Sequence, residues 1–107
     1  MDKLLVLYRI FVDTRQQEFE EAYRKYKPHI ECVSGHISER LLRSVSDPSS
    51  YMIMSIWQPE DFLIWLRSPS HAEVSNMLNT YKRTESQISR YTIVESFDRL
   101  AQQYSIS

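Results

Sequence analysis

The sequence predicts an α+β domain of the ferredoxin-like, split βαββαβ kind, built on one antiparallel four-stranded sheet. Three observations predict it. Apolar alternation at period two recurs in four segments, helical spacing follows the first and third of them, and a Pro-Ser turn joins the second to the third.

Leu4 to Val12 reads as the first strand, with Leu4, Val6, Tyr8, Ile10 and Val12 on one face and Leu5, Leu7, Arg9 and Phe11 on the other. Thr14 and Gln17 fit a capping box, and Phe19, Ala22, Tyr23, Tyr26 and Ile30 then recur at helical spacing from about Arg15 onward. Pro28 is expected to bend or interrupt this helix, and Ser34-Gly35 to end the segment where a left-handed backbone is needed. His36 to Val45 reads as the second strand, Asp47-Pro48-Ser49-Ser50 as a turn, and Tyr51 to Trp57 as the third strand. Pro59 suits the first position of a helix through about Leu66, and Ser68-Pro69 opens a further helix with His71, Val74, Met77, Leu78 and Tyr81 along one stripe. Ile88 to Phe97 reads as the last strand. The domain is thus expected over residues 1–97, with 98–107 a polar tail that forms at most a loose helical turn.

At 107 residues and 12.8 kDa the chain has room for a single modest core. Thirteen basic against fourteen acidic side chains leave a net charge of −1, which supplies no field for nucleic acid or an anionic membrane. Apolar runs such as Leu4 to Leu7 are far below a membrane span, and Met1-Asp2-Lys3 does not begin a signal peptide, so a cytoplasmic location is expected. Cys32 is the only cysteine, which excludes an internal disulfide. His29, Cys32 and His36 lie close in sequence but match no metal-ligand spacing, so no metal is expected. A single glycine, Gly35, excludes a glycine-rich phosphate loop.

Two helical layers cover only one face of four strands, yet the first and third strands are apolar on both faces. A second copy of the chain packing sheet to sheet about a twofold axis is the expected cover, giving a homodimer with a pocket of its own in each subunit. Arg9 and Glu95 interrupt the apolar pattern with opposite charges and are expected to pair, across the dimer for example.

The block Ser55-Ile56-Trp57, Phe62, Trp65-Leu66, Ser68 and His71, preceded by Gly35 and the hairpin Leu41-Leu42-Arg43-Ser44, Asp47-Pro48 and Tyr51, resembles the antibiotic biosynthesis monooxygenase (ABM) family over about Leu4 to Glu95. The resemblance implies a dimeric α+β barrel. It also implies one of several activities: cofactor-independent oxygenation of a small phenolic or quinol-like aromatic compound, haem degradation, isomerisation, or none. In the haem-degrading branch the functional trio is an asparagine on the first strand, the helical tryptophan, and an iron-binding histidine ten residues later. Tyr8, Trp65 and Ser75 occupy those places here. Serine does not replace an axial imidazole, so no cofactor is expected, and haem with altered ligation is the alternative.

Both tryptophans and a histidine converge between Tyr51 and His71, which points to an aromatic pocket where the third strand enters the helix pair. His71, with an ordinary pKa near ~6.5, is the candidate base or proton relay. Tyr8 is the candidate orienting hydroxyl, and Trp65, Trp57, Phe62 and Ser75 are the candidate substrate-binding wall. Met52, Met54 and Met77 would supply adaptable filler to a core or a ligand site. Each residue also has a plainly structural reading: His71 as an early-helix residue bonded to backbone, Tyr8 as a buried tyrosine with a neighbouring partner, Trp57 and Trp65 as core. A non-catalytic dimer that binds an apolar ligand, or serves as an interaction module, is the further alternative.

Overall fold

Seven elements follow one another in the expected order: β1 (Leu4–Phe11), α1 (Gln16–Glu31), β2 (His36–Arg43), β3 (Ser50–Trp57), α2 (Pro59–Leu66), α3 (Pro69–Tyr81) and β4 (Gln87–Thr92). The computed structural model describes residues 2–97. The expected tail 98–107 lies outside the described residues. The strands form one antiparallel sheet in the order β2-β3-β1-β4, so the two strands with apolar residues on both faces are the central ones.

Register decides which side chains meet the helices. Val6 pairs with Ser55, Tyr8 with Ile53 and Ile10 with Tyr51, and this face carries the buried residues of both strands. Ile10, Val12, Phe19, Tyr23, Ile30, Tyr51, Val74, Met77 and Leu78 form the main core between the sheet and α1 and α3. Val6, Trp57 and Phe62 form a second cluster beside α2. Phe19 is wholly buried, a burial worth roughly 1.5–3 kcal/mol. On the opposite face Leu5 stands between Ile56 and Tyr91, and Leu7 opposite Met54; none of these joins either cluster.

Several boundaries differ from the sequence expectation. α1 runs through Pro28 without interruption; the carbonyl that an amide at position 28 would have bonded belongs to Arg24, on the exposed side of the helix. The Thr14–Gln17 capping box does not form. Arg15 is the N-cap, and the Asp13 carboxylate accepts from its amide at 2.9 Å and from its guanidinium at 2.6 Å. β1 ends at Phe11, with Val12 in an isolated bridge to Lys82. β2 stops at Arg43, the last residue paired with β3, and Val45 lies fully exposed in the turn that follows. β4 stops at Thr92 instead of Phe97: its ladder with β1 ends at the Leu4–Thr92 pair, one last backbone bond runs from the Ile93 amide to the Lys3 carbonyl at 2.9 Å, and Val94 lies beyond it, as does Glu95, expected to pair in charge with Arg9. Gly35 does take the left-handed backbone, at φ +80°, and its carbonyl accepts the Gln58 amide at 2.8 Å. A Cβ at Gly35 would collide with the Asp61 side chain in the first turn of α2.

Candidate active site

The site grows from the end of β3. Strand alternation turns Ser55 and Trp57 toward the helices, where the Ser55 hydroxyl accepts the Trp57 indole N–H at 2.9 Å and so satisfies a fully buried donor. Gln58 is extended and Pro59 begins α2, which places Phe62 and Trp65, three residues apart, against the Trp57 ring. Trp57 and Trp65 stack with centroids 5.0 Å apart and planes at 27°, and Phe62 meets Trp57 edge-on at 5.4 Å.

Ser68 then joins the two helices. Its hydroxyl donates to the Trp65 carbonyl at 2.7 Å and accepts the His71 amide at 3.2 Å, capping α3. The cap sets the His71 ring edge-on to Trp65 at 4.7 Å, with Nε2 3.5 Å from the Ser75 hydroxyl one turn later. Burial lowers the His71 pKa from its usual value, so the imidazole is neutral at pH 7 and able to accept a proton. The Trp65 indole N–H is buried without a hydrogen-bond partner, a cost of about 1–3 kcal/mol that a folded chain rarely carries without use.

These residues wall a cavity of about 100 Å³ between the sheet and the helices. All six residues singled out in the sequence line it: Tyr8, Trp57, Phe62, Trp65, His71 and Ser75. Tyr8 is half-buried, and among the described residues no hydrogen bond engages its hydroxyl. Met52 and Met54 face the other side of the sheet and Met77 the core, so none of the three methionines reaches the cavity. An apolar cavity of ~150 Å³ accepts benzene. An aromatic ring therefore needs slightly more room than the cavity gives, and the wall reaches solvent at Ile88, 55% exposed on edge strand β4.

Three polar wall residues were missed in the sequence: Tyr23, Glu39 and Arg90. Glu39 lies in a polar-looking strand, but it shares parity with Leu41, and that alternation was the available signal for its helix-facing side. Its Oε2 accepts the Tyr23 hydroxyl at 2.5 Å and its Oε1 lies 3.1 Å from Nε2 of His36. Both side chains of the latter pair are nearly enclosed, Glu39 at 9% and His36 at 5% exposure, and the His36 ring meets Trp57 edge-on at 4.8 Å. Burial first, then the Glu39 carboxylate, pushes the Tyr23 phenol far above its usual pKa, so it stays a neutral donor. Arg90, on β4, holds its guanidinium 5.7 Å from the Phe62 ring centre. Among the described residues no cluster of three metal-ligating side chains exists, and His29, Cys32 and His36 form none.

The model of the family described as "Antibiotic biosynthesis monooxygenase" matches residues 6–76. The chain belongs to the antibiotic biosynthesis monooxygenase family. Among curated proteins, a 42.8 kDa protein in the whiE locus of Streptomyces coelicolor is 31% identical over 80% of this chain and 22% of its own length. Polyketide synthase CurD of Streptomyces cyaneus is 32% identical over 75% of this chain and 21% of its own. The chain thus spans about a fifth of the length of these relatives. Among solved structures, SnoaB of Streptomyces nogalater, a cofactor-independent oxygenase, superposes with a TM-score of 0.80 at 20% identity, over 90% of this chain and 97% of that one. A conserved protein of Methanosarcina mazei superposes with a TM-score of 0.77 at 18% identity, over 85% and 92%. These structures share the α+β fold with its four-stranded sheet.

Within the ABM fold this site does not fit haem. His71, the only imidazole among the described residues that line the cavity, abuts Trp65 edge-on, the neighbouring Ser75 hydroxyl is a poor iron ligand, and about 100 Å³ holds a small part of a porphyrin. Among the described residues no helix is long and apolar enough to cross a membrane.

Proposed function

We propose that this ABM domain is a cofactor-independent monooxygenase acting on a small phenolic or quinol-like aromatic compound, and that it works as a homodimer. The observation that carries the reading is the pairing of a neutral, partly buried His71 with the unpartnered indole N–H of Trp65 in one apolar cavity. His71 Nε2 takes the phenolic proton, and the resulting phenolate carries the negative charge toward a ring carbon. That carbon donates its electrons to O2 and forms a C–O bond, giving a peroxide that takes its proton back from the imidazolium. Loss of the ring C–H proton with departure of water then leaves a quinone carbonyl, so phenol and O2 give quinone and water, all electrons coming from the substrate. Trp65 and Trp57 provide the stacking wall with Phe62, Tyr8 orients the substrate oxygen, and Ser75 steadies the His71 ring. The Trp65 N–H and the Arg90 guanidinium favour the oxygen on which charge accumulates.

The family description, the fold shared with SnoaB and the name of CurD support placing the substrate among polyketide-derived aromatics. The uncovered sheet face with Leu5, Leu7, Phe11, Met52, Met54 and Ile56 supports the dimer. The test is oxygen uptake by the metal-free protein with a panel of phenols and quinols. Uptake that falls in Trp65→Ala and His71→Gln supports the reading. Binding without uptake across the panel replaces it with a ligand-binding domain.

A further inference from the structure

Glu39, Ser55, Val6 and Arg90 lie in one row across all four strands, as the pairings Glu39–Ser55, Val6–Ser55 and Val6–Arg90 fix. All four line the cavity. Three strand spacings separate the end residues, about 14 Å between Cα atoms. The floor between them is small or apolar, so the charged groups stand at its two ends.

The ends differ in hydrogen-bonding character. A carboxylate only accepts, and has about four lone-pair positions. Tyr23 and His36 use two of those on Glu39, one on each oxygen. Tyr23, whose O–H is engaged in donating to Glu39, also has only acceptor capacity left for the cavity it lines. The β2 end is therefore rich in acceptors. Arg90 is donor-only, so the charged group at the β4 end is a donor, and Trp65, which also lines the cavity, carries a donor-only N–H buried without a partner. The Glu39 side chain is only 9% exposed and lines the cavity, so a ligand hydroxyl there meets a carboxylate with little access to bulk solvent.

We propose that Glu39 forms a hydroxyl-recognition subsite: it accepts a hydrogen bond from a ligand hydroxyl at the β2 end of the cavity, while a ligand carbonyl or phenolate oxygen faces Arg90 and the Trp65 N–H. The ligand class is a hydroxyaryl carbonyl compound or its quinol form, a donor at one end of a conjugated ring and an acceptor at the other. The inference rests on the proposed function for the placement of the ligand in this cavity, but its test needs no turnover. His36 is the positioning residue, at 3.1 Å from Oε1, while Tyr23 occupies a position on Oε2 that a ligand hydroxyl could otherwise use.

The experiment is calorimetric titration of the full chain with 4-hydroxyacetophenone and with acetophenone, which share a carbonyl and differ in the hydroxyl. Wild-type protein binds the hydroxy compound at least tenfold more tightly, since a hydrogen bond to a charged acceptor is among the stronger kind. In Glu39→Gln, which keeps shape but halves the acceptor capacity, the ratio falls below threefold. In Tyr23→Phe, which frees a position on Glu39, it persists or grows. Equal affinity for the two compounds in wild type, binding of neither, a ratio that survives Glu39→Gln, or a ratio lost in Tyr23→Phe overturns the subsite. Oxygen uptake with a ratio near one leaves the oxygenase reading standing and removes this one; a tenfold ratio with no uptake on any phenol does the reverse.

Discussion

Replacing Trp65 with Phe tests whether the unpartnered indole is held for a ligand. The substitution keeps a ring against Trp57 and removes an N–H that is buried without a partner. Relief of that donor returns about 1–3 kcal/mol. Against this, losing the second ring opens a few tens of Å³, which at ~24 cal/mol per Å³ costs about 1 kcal/mol. The two terms nearly cancel. Trp65→Phe should therefore stay within about 1 kcal/mol of wild type in urea unfolding at unchanged m-value, although truncating a buried aromatic to Ala costs about 3–5 kcal/mol. Affinity for 4-hydroxyacetophenone should fall about tenfold, the worth of one lost hydrogen bond of roughly 1.4 kcal/mol. A destabilisation above about 2 kcal/mol with ligand affinity intact would show that the indole N–H is simply core, and the reasoning fails.

Because burial lowers the His71 pKa, the activity of the neutral base should rise with pH along a limb centred below ~6.5 and then level off; His71→Gln should lower turnover and erase that limb. The unfolded chain binds more protons than the folded one between those two pKa values, so this group makes stability fall as pH drops through ~6.5 toward the lower folded value; comparing wild-type and His71→Gln melting across pH 5–8 checks the sign. Gly35→Ala should cost about 2–4 kcal/mol, the left-handed backbone and the Asp61 collision together, and a melting curve within about 1 kcal/mol of wild type would contradict the local geometry. Light scattering should give twice 12.8 kDa, and Leu7→Asp, which puts a charge at the centre of the uncovered sheet face, should shift the protein toward monomer; a stable wild-type monomer at micromolar concentration would remove the dimer.

The aromatic half of the site was legible because it is local. Trp57, Phe62, Trp65, Ser68 and His71 fall within one strand-helix-helix passage, where Pro59 and the Ser68 cap mark helix starts in the sequence itself. Tyr8 was legible through the parity it shares with Val6 and Ile10. The acceptor end was not, because Tyr23 and Glu39 meet across α1 and β2 and nothing in either segment announces the other. Arg90 escaped for a similar reason: only the β1–β4 register assigns it to the cavity side. The overlong last strand came from reading apolar alternation past the end of the β1–β4 ladder, and the interruption expected at Pro28 from treating the loss of one bond on the exposed side of α1 as enough to end the helix.

The chain has only two tryptophans, and they are stacked on each other in the cavity wall with a histidine ring against each: His36 on Trp57, His71 on Trp65. Light absorbed at the red edge of the protein spectrum is therefore absorbed by the site and nowhere else. The emission carries no background from the rest of the fold, and the close, nearly parallel indoles couple their transitions, so circular dichroism in the same region is a second local signal. Ligand entry, imidazole protonation and loss of the stack each alter it in a different way. The protein carries its own optical probe at the one place where a probe is wanted, without a label or a substitution to place it there.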